Sequence, residues 1–213
     1  MDSRTFTFAD RLIGEIDKII KVLAAPSRAV REPPASAGDG PVLEPEQARE
    51  SVRLMRVNHA GEVAAQALYQ GQALTARSKE IAAVMARAAA EEIDHLAWCE
   101  RRIAELGGKT SVLNPLWYAG SYAIGVLAGA FGDRVSLGFI AETEKQVESH
   151  LRDHLERLPG ADLRSRAILE QMTHDEIEHG AKAASLGGSP LPAPLRTAMR
   201  LSSRLMTRSS YWL

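Results

Sequence analysis

Two pentapeptides, EEIDH at residues 91–95 and DEIEH at residues 175–179, each place a glutamate three residues before a histidine. In an α-helix every residue advances about 100°, so side chains three apart lie about 60° apart and share a face. Glu92 and His95 continue an apolar stripe made by Ile81, Val84, Met85, Ala88, Leu96, Cys99, Ile103 and Leu106. Glu176 and His179 continue another, made by Ile168, Met172, Ala183 and Leu186. Both acid–imidazole pairs therefore aim at a helical core. Two more glutamates occupy matching positions: Glu62 lies between Asn58 and Ala65, and Glu144 between Ile140 and Val147. The order along the chain is Glu, Glu-x-x-His, Glu, Glu-x-x-His.

The remaining pattern is all-α, with no convincing alternation of period two. Helices are expected over about 45–78, 79–106, 134–158 and 161–186. Glycine stops at Gly107-Gly108 and Gly187-Gly188 and the Pro159-Gly160 pair close three of them. Residues 1–45 read as an amphipathic N-terminal helix followed by a flexible linker rich in Pro, Ala and Gly, and 46–213 as one bundle domain. Residues 110–132 carry no charge. Asn114, Pro115, Ser121 and the glycines make that stretch a better fit to a helix lying at an interface or against the bundle than to a membrane span. Near the C-terminus Arg196, Arg200, Arg204 and Arg208 form a basic stripe, as expected of a helix facing an anionic membrane surface. A formal net charge of −1 excludes the strong basic balance of a nucleic-acid binder. The single cysteine, Cys99, excludes an internal disulfide and reads as a buried apolar residue in a reducing compartment.

Four carboxylates and two imidazoles directed into a core need compensation, because each buried ion costs several kcal/mol. Two divalent metals match four carboxylates in charge, with neutral imidazoles completing the coordination. Oxygen and nitrogen ligands without thiolates suit iron or manganese better than structural zinc. One Glu from each of two helices and Glu-x-x-His from two others is the ligand inventory of ferritin-like di-metal bundles. A ferritin-like four-helix bundle is therefore the expected fold. The acids beside the motifs, Glu91, Asp94, Asp175 and Glu178, read as solvated faces from which one or two orient the imidazoles. His150 is a further candidate for that orienting role. His59, His154 and His174 read as surface histidines. The architecture leaves open an iron-storage or peroxide-scavenging protein, or a di-iron hydroxylase.

At RVNHAGEVAAQALYQGQ (56–72), EEIDHL (91–96), NPLWYAGSYAIGVLAG (114–129), ETEKQVESHL (142–151) and DEIEH (175–179), the chain resembles the demethoxyubiquinone hydroxylases of ubiquinone biosynthesis, of the bacterial type. The resemblance covers roughly residues 50–213. It implies a di-iron monooxygenase that hydroxylates the ring of a demethoxylated polyprenyl benzoquinol, with O2 as co-substrate and two electrons from NADH or a separate reductase. It places two iron ions per chain on Glu62, Glu92, His95, Glu144, Glu176 and His179. Other ubiquinone-biosynthesis proteins are implied partners, and the cytoplasmic side of the cell membrane is the implied location, with peripheral attachment. Trp117, Tyr118, Ile124 and Leu127, in the uncharged segment, are expected along the quinol's path from the bilayer. The family's animal members carry Tyr where Leu151 follows His150, so no role for such a tyrosine transfers.

Overall fold

The computed structural model describes residues 8–34 and 41–213. Within them every regular element is a helix: α1 (Phe8–Leu23), α2 (Pro45–Thr75), α3 (Lys79–Glu105), α4 (Asn114–Ala130), α5 (Asp133–Arg157), α6 (Leu163–Ser185) and α7 (Ala193–Trp212). Each of the four long helices falls within three residues of its expected limits. Their ends follow from local chemistry. Gly107 and Gly187 take positive φ values of 73° and 94°, a backbone conformation that spares glycine the Cβ clash and ends α3 and α6. Leu158, forced to extended backbone by Pro159, ends α5. At the N-terminal ends, Ser78 accepts from the Ile81 amide, and the Asp162 carboxylate from the Ser165 amide at 3.0 Å.

Helices α2 and α3 form one antiparallel hairpin and α5 and α6 another, and the two hairpins pack face to face as a four-helix bundle. The apolar stripes meet in two separate clusters. Leu54, Met55, Trp98, Cys99, Ile103, Leu151, Leu169 and Met172 fill one end. Tyr69, Ile81, Met85, Leu137, Ile140 and Ala183 fill the other. The four helical positions between these clusters are the ones that carry glutamate and histidine. Cys99 is buried, as its place in the stripe requires.

The uncharged segment becomes α4, the long connection between the hairpins. It runs beside α2 in the same direction, and the approach is close enough to need glycine on both helices. A Cβ on Gly71 would lie 2.4 Å from the Tyr122 carbonyl oxygen, and one on Gly125 would lie 2.3 Å from the Leu68 carbonyl oxygen. Gly125 and Gly129 thus serve packing within the chain. Among the described residues no helix is long and apolar enough to cross a membrane. The outer face of α4 nonetheless leaves Leu116, Ile124 and Leu127 exposed, as is Phe131 just after its end.

Helix α7 lies antiparallel to α2 and also touches α5. The Trp117 indole of α4 donates to Ser210 Oγ of α7 at 3.0 Å. α1 rests on the bundle through Ile19, Val22 and Leu23, while Ile13, Ile16 and Ile20 face outward. Residues 35–40 of the expected linker lie outside the described residues. Just before them, residues 27–31 depart from a free linker: the Ser27 amide donates to Glu100 at 3.0 Å, and the Val30 amide to Asp94 Oδ1 at 2.6 Å, both on α3. Carboxylates on the outer side of α3 hold this short stretch through its backbone.

Gly125→Ala should lower stability by about 1–3 kcal/mol, because the added methyl must push α4 off the α2 backbone. Thermal unfolding checks this, and an unchanged Tm would show that the two helices can part without cost.

Candidate metal centre

The bundle brings all six residues of the two motifs and their companions to one level. Glu62, Glu92, His95, Glu144 and Glu176 are buried, and His179 is 11% exposed at the side chain. His95 Nδ1 lies 2.9 Å from Glu92 Oε2, 3.2 Å from Glu176 Oε1 and 3.8 Å from Glu62 Oε2. His179 Nδ1 lies 3.1 Å from Glu92 Oε1 and 3.5 Å from Glu176 Oε2. Glu92 and Glu176 therefore stand between the two imidazoles, each turning one oxygen toward each ring. Glu62 completes the His95 side: one ligand atom from each of Glu62, Glu92, His95 and Glu176 lies within 4.8 Å of the others. Glu144 comes from the α5–α6 hairpin, beside Gly180 and Glu176, and its Oε1 accepts a hydrogen bond from the Tyr69 hydroxyl.

The electrostatics are those of a site built around positive charge. Burial pushes the Glu62 carboxyl well above the usual range, reinforced by the charges of Glu92 and Glu176 and opposed by His95. Burial does the same to Glu144, with Glu176 adding to it. For Glu92 burial acts in the same direction, but the two imidazoles outweigh it and hold the group below the usual range. The imidazoles shift the other way. Burial would lower both, yet the carboxylates raise His95 well above its ordinary value and bring His179 up to about 12. Protons thus stand in for cations at these positions. The compensation is incomplete: Glu92 Oε1, Glu176 Oε2 and His179 Nδ1 are buried and lack a partner of hydrogen-bond geometry. Ligand-type oxygen and nitrogen atoms orphaned around a common centre fit a bound metal.

The flanking acids divide. Asp175 Oδ2 lies 2.9 Å from His95 Nε2, and Glu91 Oε2 lies 2.6 Å from His179 Nε2, so an acid on the opposite motif helix faces the far nitrogen of each ring. Asp94 and Asp175 are buried, against the expectation of solvated faces. His150, expected to orient a ligand, makes no such bond. It packs on His154 at 3.8 Å between ring centroids, its Nε2 unpartnered, because its position on α5 turns it away from Glu144. His59 and His154 are buried rather than on the surface. Asn114 lies against the ring of one, and Asn58 Oδ1 is 2.9 Å from Nδ1 of the other. Above all through burial, the pKa of His59 falls to about 4 and that of His154 to about 2. Tyr69, two turns after Glu62 on the same face, belongs to the site. Heptad spacing within α2 is the sequence signal for it.

Beside the cluster a cavity of about 340 Å³ opens between α2, α4, α5 and α7. Glu62 forms part of its wall, and Trp117, Ile124, Val147, Leu151, Met199 and Met206 make it chiefly apolar. Of the four residues expected on a substrate path, Trp117 and Ile124 line this cavity. Tyr118 does not: it faces α2, where its hydroxyl donates to Gln70. Leu127 projects outward, 60% exposed. A second, polar recess shares Val57, His150 and Thr207 with the first and continues to His154, Arg157, Arg204 and Arg208.

The family model described as Ubiquinone biosynthesis protein COQ7 matches residues 49–210. The chain belongs to that family. It is 55% identical over 95% of its length to a protein of Azoarcus sp. (strain BH72) named 3-demethoxyubiquinol 3-hydroxylase, of which the match covers 98%. A protein of the same name from Cupriavidus metallidurans is 56% identical, the match covering 95% of this chain and 99% of the relative. Among solved structures, the bacterioferritin-related protein of Bacteroides fragilis, described as a dodecameric thioferritin, superposes with a TM-score of 0.55 at 17% identity, over 65% of this chain and 84% of that one. That likeness establishes the ferritin-like fold of this COQ7-family chain.

In the metal-free protein, His95 and His179 keep protons that the unfolded chain releases near pH 6.5, and Glu62 and Glu144 keep protons that it releases near pH 4.5. In all four cases the folded state binds more protons, so their contribution to stability falls as pH rises, from about 4.5 for the two glutamates and from 6.5 for the two histidines, continuing at His179 up to about 12. Metal binding should flatten this dependence, since the metal displaces those protons. Unfolding midpoints across pH, with and without Co2+, check it.

Proposed function

We propose that this chain is a 3-demethoxyubiquinol 3-hydroxylase, in which Glu62, Glu92, His95, Glu144, Glu176 and His179 hold two iron ions. The observation that carries the reading is the apolar cavity with Glu62 in its wall: a room for a hydrophobic ring and tail that ends at a carboxylate–imidazole cluster. When bound, the irons supply the activation of O2 that puts one oxygen atom on the ring and the other into water, with two electrons and two protons consumed. The protein's own residues do the rest. Glu92 and Glu176, each with one oxygen toward each imidazole, would hold the irons together with Glu62 and Glu144. Leu151, Val147 and Met206 keep water from the ring. Thr143 and Gln146, on the same wall, offer polar groups to the ring's oxygens. Electrons come from NADH or a separate reductase.

A polyprenyl tail gains about 0.8 kcal/mol per buried CH2 and does not leave a bilayer freely. Exposed apolar surfaces support an approach of the enzyme to the membrane. The exposed residues of α4 lie beside the cavity, where Ile124 both lines the wall and is 41% exposed. Leu201 and Leu205 of α7 are exposed beside Arg200 and Arg204. These surfaces, with the outward face of α1, form the docking side of a peripheral protein on the cytoplasmic side of the cell membrane. Iron storage would use the same ligands but has no need of an apolar chamber at the site.

Glu92→Ala or Glu176→Ala should remove at least one iron per chain and reduce hydroxylation of a demethoxyquinol by several orders of magnitude. Iron analysis with product detection tests this, and two irons retained at full turnover would defeat the ligand assignment. Ile124→Asp should cut turnover of a long-tailed quinol at least tenfold while the iron content stays at the unsubstituted level. Iron loss in that variant would instead make α4 a structural support of the site.

A further inference from the structure

The stretch before residue 35 does more than lie on the bundle, because it delivers Arg31 to the outer side of the metal centre. The Arg31 Nε donates to Asp94 Oδ2 at 2.7 Å and its Nη1 pairs with Asp175 Oδ2 at 2.9 Å. Asp94 is on α3 and Asp175 on α6, so one guanidinium bridges the two motif helices across the hairpin boundary. Asp175 Oδ2 is the oxygen that faces His95 Nε2 at 2.9 Å. The strap is itself anchored at several points. Asp94 Oδ1 accepts the amides of Val30 and Arg31 at 2.6 and 3.3 Å, the Trp98 indole donates to the Arg31 carbonyl at 3.1 Å, and the guanidinium stands 4.9 Å over the Trp98 ring.

We propose that residues 27–31 form a strap whose Arg31 is a positioning residue for the metal on the His95 side. Its guanidinium, with one nitrogen on Asp94 and another on Asp175, sets Asp175 so that this carboxylate accepts the Nε2–H hydrogen bond and leaves Nδ1 turned toward Glu62, Glu92 and Glu176. A carboxylate behind a metal-binding imidazole fixes both the tautomer and the ring plane. A guanidinium fork does so with a rigidity that an ammonium lacks. The His179 side has no counterpart among the described residues. There the far nitrogen meets only Glu91, whose side chain is 54% exposed. The two imidazoles are therefore backed unequally, His95 by an aspartate clamped from the N-terminal segment and His179 by a half-exposed glutamate.

The inference rests on the di-metal reading, and the test separates the two. The full-length protein, stripped of metal, is titrated with Co2+ and followed by its visible absorption, which reports the ligands and geometry of each equivalent. Two equivalents are expected for the unsubstituted chain; fewer would sink the di-metal reading and this inference with it. Arg31→Ala should weaken one equivalent by about 10- to 100-fold, the usual cost of losing such support, and alter only that equivalent's spectrum. Arg31→Lys should recover part of the affinity, and Arg28→Ala, on the same strap, should lose none. Circular dichroism checks that each variant folds. Both equivalents unchanged in Arg31→Ala, or both weakened alike, would overturn the strap's role while leaving the di-metal centre standing.

Discussion

Negative charge at the middle of a four-helix bundle is the constraint to which the rest of the structure answers. Glu62, Glu92, Glu144 and Glu176 are withdrawn from water between two apolar clusters. Carboxylates so placed repel one another and have lost their hydration, which a bundle tolerates only if positive charge stands among them. In the chain alone, that charge is protonic, carried by two imidazoles held above their ordinary range. Two of the carboxylates are raised as well, chiefly by burial and further by their acidic neighbours. A fold that stores protons where metals would bind can exchange one kind of positive charge for the other.

The apolar clusters on either side give the centre its rigidity. Leu54, Met172 and Leu151 below, and Tyr69, Met85 and Ile140 above, lock the helices in register. The functional residues of the four helices are thereby held opposite one another. Tyr69 belongs to both systems: its ring fills the upper cluster and its hydroxyl holds Glu144. A change in that cluster would therefore reach the site through a single side chain.

The helices outside the bundle create what a plain four-helix arrangement lacks. Glycine contacts bring α4 onto α2, α7 closes over both, and the space left between them and α5 is the cavity that reaches Glu62. On the opposite flank the strap of residues 27–31 closes the outer side of His95. The centre is thus approached from one side by an apolar room and braced from another by an arginine. The resulting asymmetry is laid over two hairpins that share the same order of Glu and Glu-x-x-His.

The sequence by itself determined the four long helices, their ends, and which side chains share a face within each. Those relations are set by the helical period and by local rules for glycine and proline, so Glu62, Glu92, His95, Glu144, Glu176 and His179 are legible from residue spacing alone. Contacts between helices are not legible in the same way. That Asp175 serves His95 on α3 while Glu91 serves His179 on α6, that Tyr69 holds Glu144, and that Trp117 and Ile124 face the cavity while Tyr118 and Leu127 do not, depends on the rotation of each helix about its axis and on its neighbour. His59 and His154 read as surface histidines, and they are buried because partners distant in the chain, Asn114 of α4 for the first and Asn58 of α2 for the second, come to lie against them. Arg31 is hidden among Pro, Ala and Gly because such composition reports only the absence of periodic structure. Only the tertiary fold decided that carboxylates 63 residues or more away would hold that segment in place.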